Sequence, residues 1–204
     1  MTEIKFTIDG KPCTARPGQT IVEAAKANGI YIPVLCHSEG LKPAGSCRVC
    51  TVRIGGRPAA ACTQPVAEGM AVENATPELE DMRRAVVEML FVEGNHFCPG
   101  CEKSGNCELQ ALAYRFGMLV PRFPFLWPAR ATDGSAPKII MEHNRCIQCQ
   151  RCVRAVQTAD GRKIFAVHER GGRTRIGVDP VLAAGLDEAD ARKAMDICPV
   201  GAIL

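Results

Sequence analysis

The chain has 204 residues, 47% hydrophobic and 23% charged, which is the composition of a globular protein with one to three compact units and not of a disordered chain. Its 25 Lys+Arg against 22 Asp+Glu leave a formal charge of +3, too little to indicate nucleic-acid binding. No apolar run approaches the roughly 18 residues of a membrane helix, and Met1-Thr2-Glu3-Ile4-Lys5 lacks the basic and apolar stretches of a secretory signal, so a soluble, cytoplasmic protein is expected.

Ile4, Phe6 and Ile8 alternate with polar residues, and Asp9-Gly10 predicts a hairpin turn into a second strand over 11–15. Thr20 with Glu23 forms a capping box for a short helix over 21–28, stopped at Gly29. Strands over 51–54 and 57–61 flank a Gly55-Gly56 turn. This order of strands, helix, cysteine loop and strands is that of a β-grasp ferredoxin domain ending near Glu73. Thr76-Pro77 opens a helix whose expected apolar face is Leu79, Met82, Val86, Met89 and Leu90, with the methionines read as core packing. A further helix over 108–116 ends at Gly117. Residues 121–137, rich in Pro, Phe and Trp, read as an extended connector. Beyond it come strands near 164–168 and 173–178, joined by a Gly171-Gly172 turn, and a helix over 187–197. The expected class is α+β, with a β-grasp domain at 1–75, a helical segment at 76–120, a linker at 121–137 and a small α+β domain at 138–204.

Twelve cysteines, about 6% of the chain, fall below the density of a disulfide scaffold, and without an export signal clustered cysteines point to metal. They do cluster. Cys146, Cys149 and Cys152, spaced C-x2-C-x2-C, are joined by a distant Cys198-Pro199, the half-ferredoxin pattern of a [4Fe–4S] cluster. One tight loop offers three thiolates to a cubane and a remote residue closes the fourth corner, whereas structural zinc usually takes two pairs. Cys36, Cys47, Cys50 and Cys62 resemble a plant-type [2Fe–2S] loop, with ten residues instead of four between the first two. Gly40, Pro43, Gly45 and Ser46 suit that loop to turning N–H groups toward sulfur, and Arg48 lies between two ligands. The middle group, Cys98, Cys101 and Cys107, is one ligand short of a cubane, and His96 is the nearby candidate for the fourth. An imidazole in place of a thiolate removes one negative charge and by itself raises the cluster's potential. Cys13 alone is left over, as a buried thiol. With eleven cysteines bound as thiolates, three oxidised clusters of net charge about −2, −1 and −2 would carry the formal charge from +3 to about −2.

No nucleophile–base pair, carboxylate dyad, P-loop or G-x-G-x-x-G rises above chance, so no catalytic residue is expected and the chain reads as a conductor of electrons between partners. A zinc-bound structural or adaptor protein is the alternative of another class.

Three stretches carry a resemblance over nearly the whole chain. They are Cys36 … Gly45-Ser46-Cys47-Arg48-Val49-Cys50 … Cys62, then Cys98-Pro99-Gly100-Cys101 … Cys107-Glu108-Leu109-Gln110, then Cys146-Ile147-Gln148-Cys149-Gln150-Arg151-Cys152 with Cys198-Pro199-Val200-Gly201-Ala202. The sequence resembles the N-terminal iron–sulfur region of the 75-kDa subunit of respiratory complex I, shared with iron-only hydrogenases and some NAD-linked formate dehydrogenases. The resemblance implies one [2Fe–2S] and two [4Fe–4S] clusters on these residues, the middle one with a histidine ligand. In that pattern the histidine stands four residues before the first cysteine, where this chain has Gly94; His96 is two before. The chain stops six residues after Cys198, as in the small diaphorase subunits of soluble NAD-reducing [NiFe] hydrogenases, which it also resembles. That implies partnership, in an obligate hetero-oligomer, with a flavin subunit that handles NAD and with the small subunit of a nickel–iron dimer that oxidises H₂. The equivalent subunits of formate dehydrogenases or multi-subunit iron-only hydrogenases stay open.

Overall fold

A computed structural model describes residues 3–204, which divide into two compact units. The first holds the chain up to His37 together with Pro43–Val87, the second Ser38–Lys42 with Glu88–Leu204. This division is coarser than the four segments read from the sequence.

In the first unit, β1 (Ile4–Ile8) and β2 (Lys11–Ala15) form the expected hairpin, with Cys13 buried opposite Phe6. Asp9 and Gly10 take φ of 50° and 74°, the left-handed pair that a two-residue hairpin turn of this hand needs. The helix α1 (Ile21–Ala27) starts at a complete capping box. The Thr20 N–H donates to the Glu23 carboxylate at 2.7 Å and the Glu23 N–H to the Thr20 hydroxyl at 3.3 Å. β3 (Thr51–Ile54) and β4 (Arg57–Ala60) make the second hairpin. A strand the sequence reading passed over, β5 (Ala71–Glu73), lies between the hairpins, parallel to β1 and antiparallel to β3. Its three residues, with Val72 alone buried, are too few for an alternation to show. The order β2-β1-β5-β3-β4 is the β-grasp arrangement, and Ile21, Ala24 and Ala25 of α1 share its core with Phe6, Ile8, Val52 and Val72.

The helix α2 (Pro77–Val92) buries a different line from the one expected. Leu79, Arg83 and Val87 are buried at successive i+4 positions, while Met82 and Met89 are 40% and 42% exposed. A buried arginine is tolerated because its donors are met: Nε and Nη2 reach the Thr51 carbonyl at 3.0 and 2.7 Å, and Nη2 also reaches Asn74 Oδ1 at 2.8 Å. Hydrophobicity alone could not find this face, since its central residue is charged.

The second unit is built of short pieces. The helix α3 (Glu108–Arg115) ends as expected, with Gly117 at φ 59°. β6 (Asp133–Ala136) falls inside the stretch read as a connector and pairs with β7 (Ile139–Met141), so the connector is shorter than expected. The chain's last residues return along β7, Ile140 and Leu204 exchanging backbone bonds of 2.8 and 3.0 Å. The helix α4 (Arg151–Ala155) and the hairpin of β8 (Phe165–His168) and β9 (Arg175–Val178) follow, the latter closed by a 3-10 turn over Gly171–Arg173 in place of a simple two-glycine turn. After α5 (Pro180–Ala183), the helix α6 (Glu188–Ile197) starts at Asp187, whose carboxylate accepts from the Asp190 N–H, and it delivers Cys198 at its end. α4 and α5 are too short to have shown a period. Among the described residues no helix is long and apolar enough to cross a membrane.

Candidate metal centres

Cys36, Cys47, Cys50 and Cys62 come together in the first unit. The Cys36 N–H donates to Cys47 Sγ at 3.4 Å, and thiol contacts run from Cys47 to Cys36, from Cys36 to Cys62 and from Cys62 to Cys50. Cys50 and Cys62 are part of the buried core, fixed by the two hairpin strands that follow and precede them. Arg83 grips the carbonyl of Thr51, one residue past Cys50. Hydrogen bonds from Cys47 and Cys62 hold the Cys36 thiol far below the ordinary range, and the Cys62 thiol brings Cys50 down to about 7, while Cys47 and Cys62 as donors are pushed up. The loop is turned by Gly45 and Arg48, both left-handed at φ 64° and 61°. Arg48 is exposed, and its carbonyl accepts from the N–H and hydroxyl of Thr51.

His96, Cys98, Cys101 and Cys107 line one cavity of the second unit, with Arg145 and Val200. The imidazole packs against Phe91, ring centroids 5.3 Å apart, and one ring nitrogen bonds the backbone of Leu90. The other, Nε2, is buried with no hydrogen-bond partner. Burial holds the imidazole pKa down to about 4 against the pull of the Leu90 carbonyl, so the ring is neutral near pH 7 and Nε2 carries the lone pair a metal requires. Cys98 and Cys107 are pushed up by burial; N–H groups of Leu109 and Gln110 at the start of α3 oppose this at Cys107.

Cys146, Cys149, Cys152 and Cys198 line the other cavity, walled by Met141, Ile176 and Ile203 among other apolar residues. Burial pushes Cys146 up to about 11 and Cys149 to about 12, and Cys152 further, with the N–H groups of Gln148, Arg151 and Val153 acting in the opposite sense on the three thiols in turn. Gln148 and Gln150 are left-handed at φ 52° and 58°, which curls the loop around the site at a cost of about 1–2 kcal/mol per residue. A glutamine gives no sequence signal for that conformation.

The two cavities share Val200 as a wall. The loops around them are tied by two arginine–glutamate pairs that the sequence reading missed. Arg151, beside Cys152, clasps Glu108, beside Cys107, with two bonds of 2.6 Å. Arg145, beside Cys146, meets Glu102, beside Cys101, at 2.6 Å. The Glu108 N–H also donates to the carbonyl of Pro199 at 2.8 Å. The signal was present as Cys-Glu twice in one group and Arg-Cys twice in the other, legible only once the groups are known to be neighbours.

The donors fit iron–sulfur groups. They are eleven soft thiols and one neutral imidazole, with backbone N–H groups aimed at sulfur and Nε2 of His96 left for a metal.

Comparison with known proteins agrees with that chemistry. Residues 1–77 match a 2Fe-2S iron-sulfur cluster binding domain, residues 83–122 the NADH-ubiquinone oxidoreductase-G iron-sulfur binding region, and residues 136–204 the ferredoxin-like domain of NADH-quinone oxidoreductase subunit 3. The cofactors are one [2Fe–2S] and two [4Fe–4S] clusters. The chain is 35% identical over 205 residues to the mitochondrial NADH-ubiquinone oxidoreductase 78 kDa subunit of Neurospora crassa, covering 98% of this chain but 27% of that one. It is 33% identical over 207 residues to the corresponding 78 kDa subunit of Candida albicans, with all of this chain covered and 28% of that one. It is 50% identical over 202 residues to the gamma subunit of the NAD-reducing hydrogenase HoxS of Cupriavidus necator, covering 98% of this chain and 86% of that one. A crystal structure of an NAD⁺-reducing [NiFe]-hydrogenase in the H₂-reduced state contains a chain that superposes with a TM-score of 0.91 at 43% identity, over 98% of this chain and 86% of that one. With half its residues identical across nearly the whole length of both chains, this chain belongs to the family of the gamma subunit of the NAD-reducing hydrogenase HoxS.

Proposed function

We propose that this chain is the electron-transfer subunit of an NAD-reducing hydrogenase, H₂ + NAD⁺ = H⁺ + NADH, with no substrate site of its own. It passes the two electrons of each turnover one at a time between a flavin- and NAD(H)-binding diaphorase subunit and the small subunit of a [NiFe] hydrogenase dimer, in a cytoplasmic hetero-oligomer. The [2Fe–2S] ligands are Cys36, Cys47, Cys50 and Cys62. The [4Fe–4S] ligands are His96, Cys98, Cys101 and Cys107 in one site and Cys146, Cys149, Cys152 and Cys198 in the other. The observation that carries the reading is that Val200 lines both cavities: two candidate ligand sets bordering one residue suit conduction and serve no evident purpose in a merely structural metal protein.

The bound clusters supply one-electron oxidation and reduction at nearly constant geometry. The protein's part is to hold the ligands, direct N–H groups at sulfur, and exclude water with Met141, Ile176 and Ile203. The test is the assembled complex carrying Cys107→Ser. Hydrogen-dependent NAD⁺ reduction should fall at least 100-fold, while hydrogen-driven dye reduction at the nickel site and NADH-driven dye reduction at the flavin both persist. Unimpaired NAD⁺ reduction by H₂ would overturn the reading, as would a native complex containing molybdenum and no nickel.

A further inference from the structure

Twelve glycines have positive φ, so the backbone itself accounts for them. Gly94 and Gly201 are not among them, and each presents a bare Cα to a ligand of the middle site. A Cβ on Gly94 would overlap Nε2 of His96 and lie 2.6 Å from its Cδ2 and 2.9 Å from the carbonyl oxygen of Asn144. A Cβ on Gly201 would lie 2.5 Å from Cys101 Sγ and 3.2 Å from the Lys103 Cβ. Packed atoms do not tolerate such approaches, so one side must shift.

The ring has little room to give. One nitrogen bonds the Leu90 backbone, and the Phe91 ring packs against it in a tilted contact, centroids 5.3 Å apart. The backbone beside Gly94 is held as well, the Asn95 N–H donating to the Asn144 carbonyl at 2.8 Å. Gly177 faces the His168 ring at a similar distance, but that histidine is exposed and can swing into solvent. Gly94 is buried, and the atom it faces is Nε2, the buried nitrogen with no hydrogen-bond partner.

We infer that Gly94 and Gly201 are positioning residues of the middle [4Fe–4S] site, keeping free the volume in which His96 Nε2 and Cys101 Sγ reach the cluster. A side chain at 94 and the imidazole at 96 compete for the same space, so a histidine two residues before Cys98 serves as ligand only with glycine at 94. The inference rests on the proposed ligation by His96 and Cys101.

The test uses the full chain in its complex, purified without oxygen, as wild type and as G94A, G201A, H96A, G94A/H96A and the control G177A. Iron per chain, low-temperature EPR of the reduced protein and the midpoint potential of each signal are read. G94A and G201A should lose about four of about ten irons, or shift the g values and potential of the middle signal, with the other two signals unchanged. G177A should match wild type. G94A/H96A should match H96A, because Gly94 acts through the ring the second substitution removes. Wild-type iron, g values and potential in G94A and G201A, with the signal lost in H96A, would leave the ligation standing and overturn the inference. Loss of the other two signals in G94A/H96A but not in H96A would make Gly94 a backbone requirement, which also overturns it. A middle signal unchanged in H96A would remove the ligation and the inference together.

Discussion

In the first unit, Cys50 and Cys62 belong to the same buried core as Phe6, Ile8, Ile21 and Val52, and a five-stranded sheet carries them. In the second, the candidate ligands stand on loops and on elements as short as the five-residue α4, and Met141, Ile176 and Ile203, which wall the cavity beside Cys198, are buried side chains contributed by separate short elements. The contrast is in where the folding free energy comes from. The first unit, with one cluster of buried apolar side chains against one sheet, is expected to keep that sheet without metal. In the second, whose buried side chains come from many short elements, ligation is expected to supply a larger share of the folding free energy.

Removing iron tests this contrast most severely. In the chelated protein the amides of β6 to β9 and α6 should lose at least 100-fold in hydrogen-exchange protection, while β1, β3 and β5 keep most of theirs. Equal loss in both units would break the comparison. The reverse perturbation is Ile8→Ala, which empties a fully buried position in the first unit and should cost about 2–5 kcal/mol. Heating should then bleach the [2Fe–2S] absorbance earlier and leave the [4Fe–4S] EPR signals at their wild-type melting temperature. Within the second unit, Glu108→Gln takes the carboxylate from Arg151, whose side chain is only 4% exposed. Because Glu108 itself is 45% exposed, water offsets part of the loss, and a cost of about 1–2 kcal/mol is expected. It should appear as a lower denaturant midpoint for [4Fe–4S] absorbance, with the [2Fe–2S] midpoint unmoved. The smallest effect is Thr20→Ala, which removes half the capping box of α1 and should lower the first unit's stability by about 1 kcal/mol.

What the sequence revealed divides along the same line. Periodicity, Asp9-Gly10 and the Thr20–Glu23 box all report on local backbone, and the hairpins and α1 of the sheet domain were legible from them. β5 was not, because a three-residue strand is made by its neighbours and not by its own pattern. The buried face of α2 was misread because Arg83, held by the Thr51 carbonyl and Asn74, occupies a position that hydropathy assigns to the exterior. The three cysteine groups were legible as groups from their spacing, and the structure brings each of them together. The two arginine–glutamate pairs and the close approach of Gly94 to His96 could not, since they depend on which loops face each other.

Three clusters on twelve side chains require a fixed metal content, which can be measured in one experiment. The protein, purified without oxygen in its native complex, should yield about ten irons and ten acid-labile sulfides on this chain, as one [2Fe–2S] and two [4Fe–4S] clusters require. About six irons would mean that His96 and its three cysteines hold no cluster, and zinc in place of iron would mean that the chain carries no electrons.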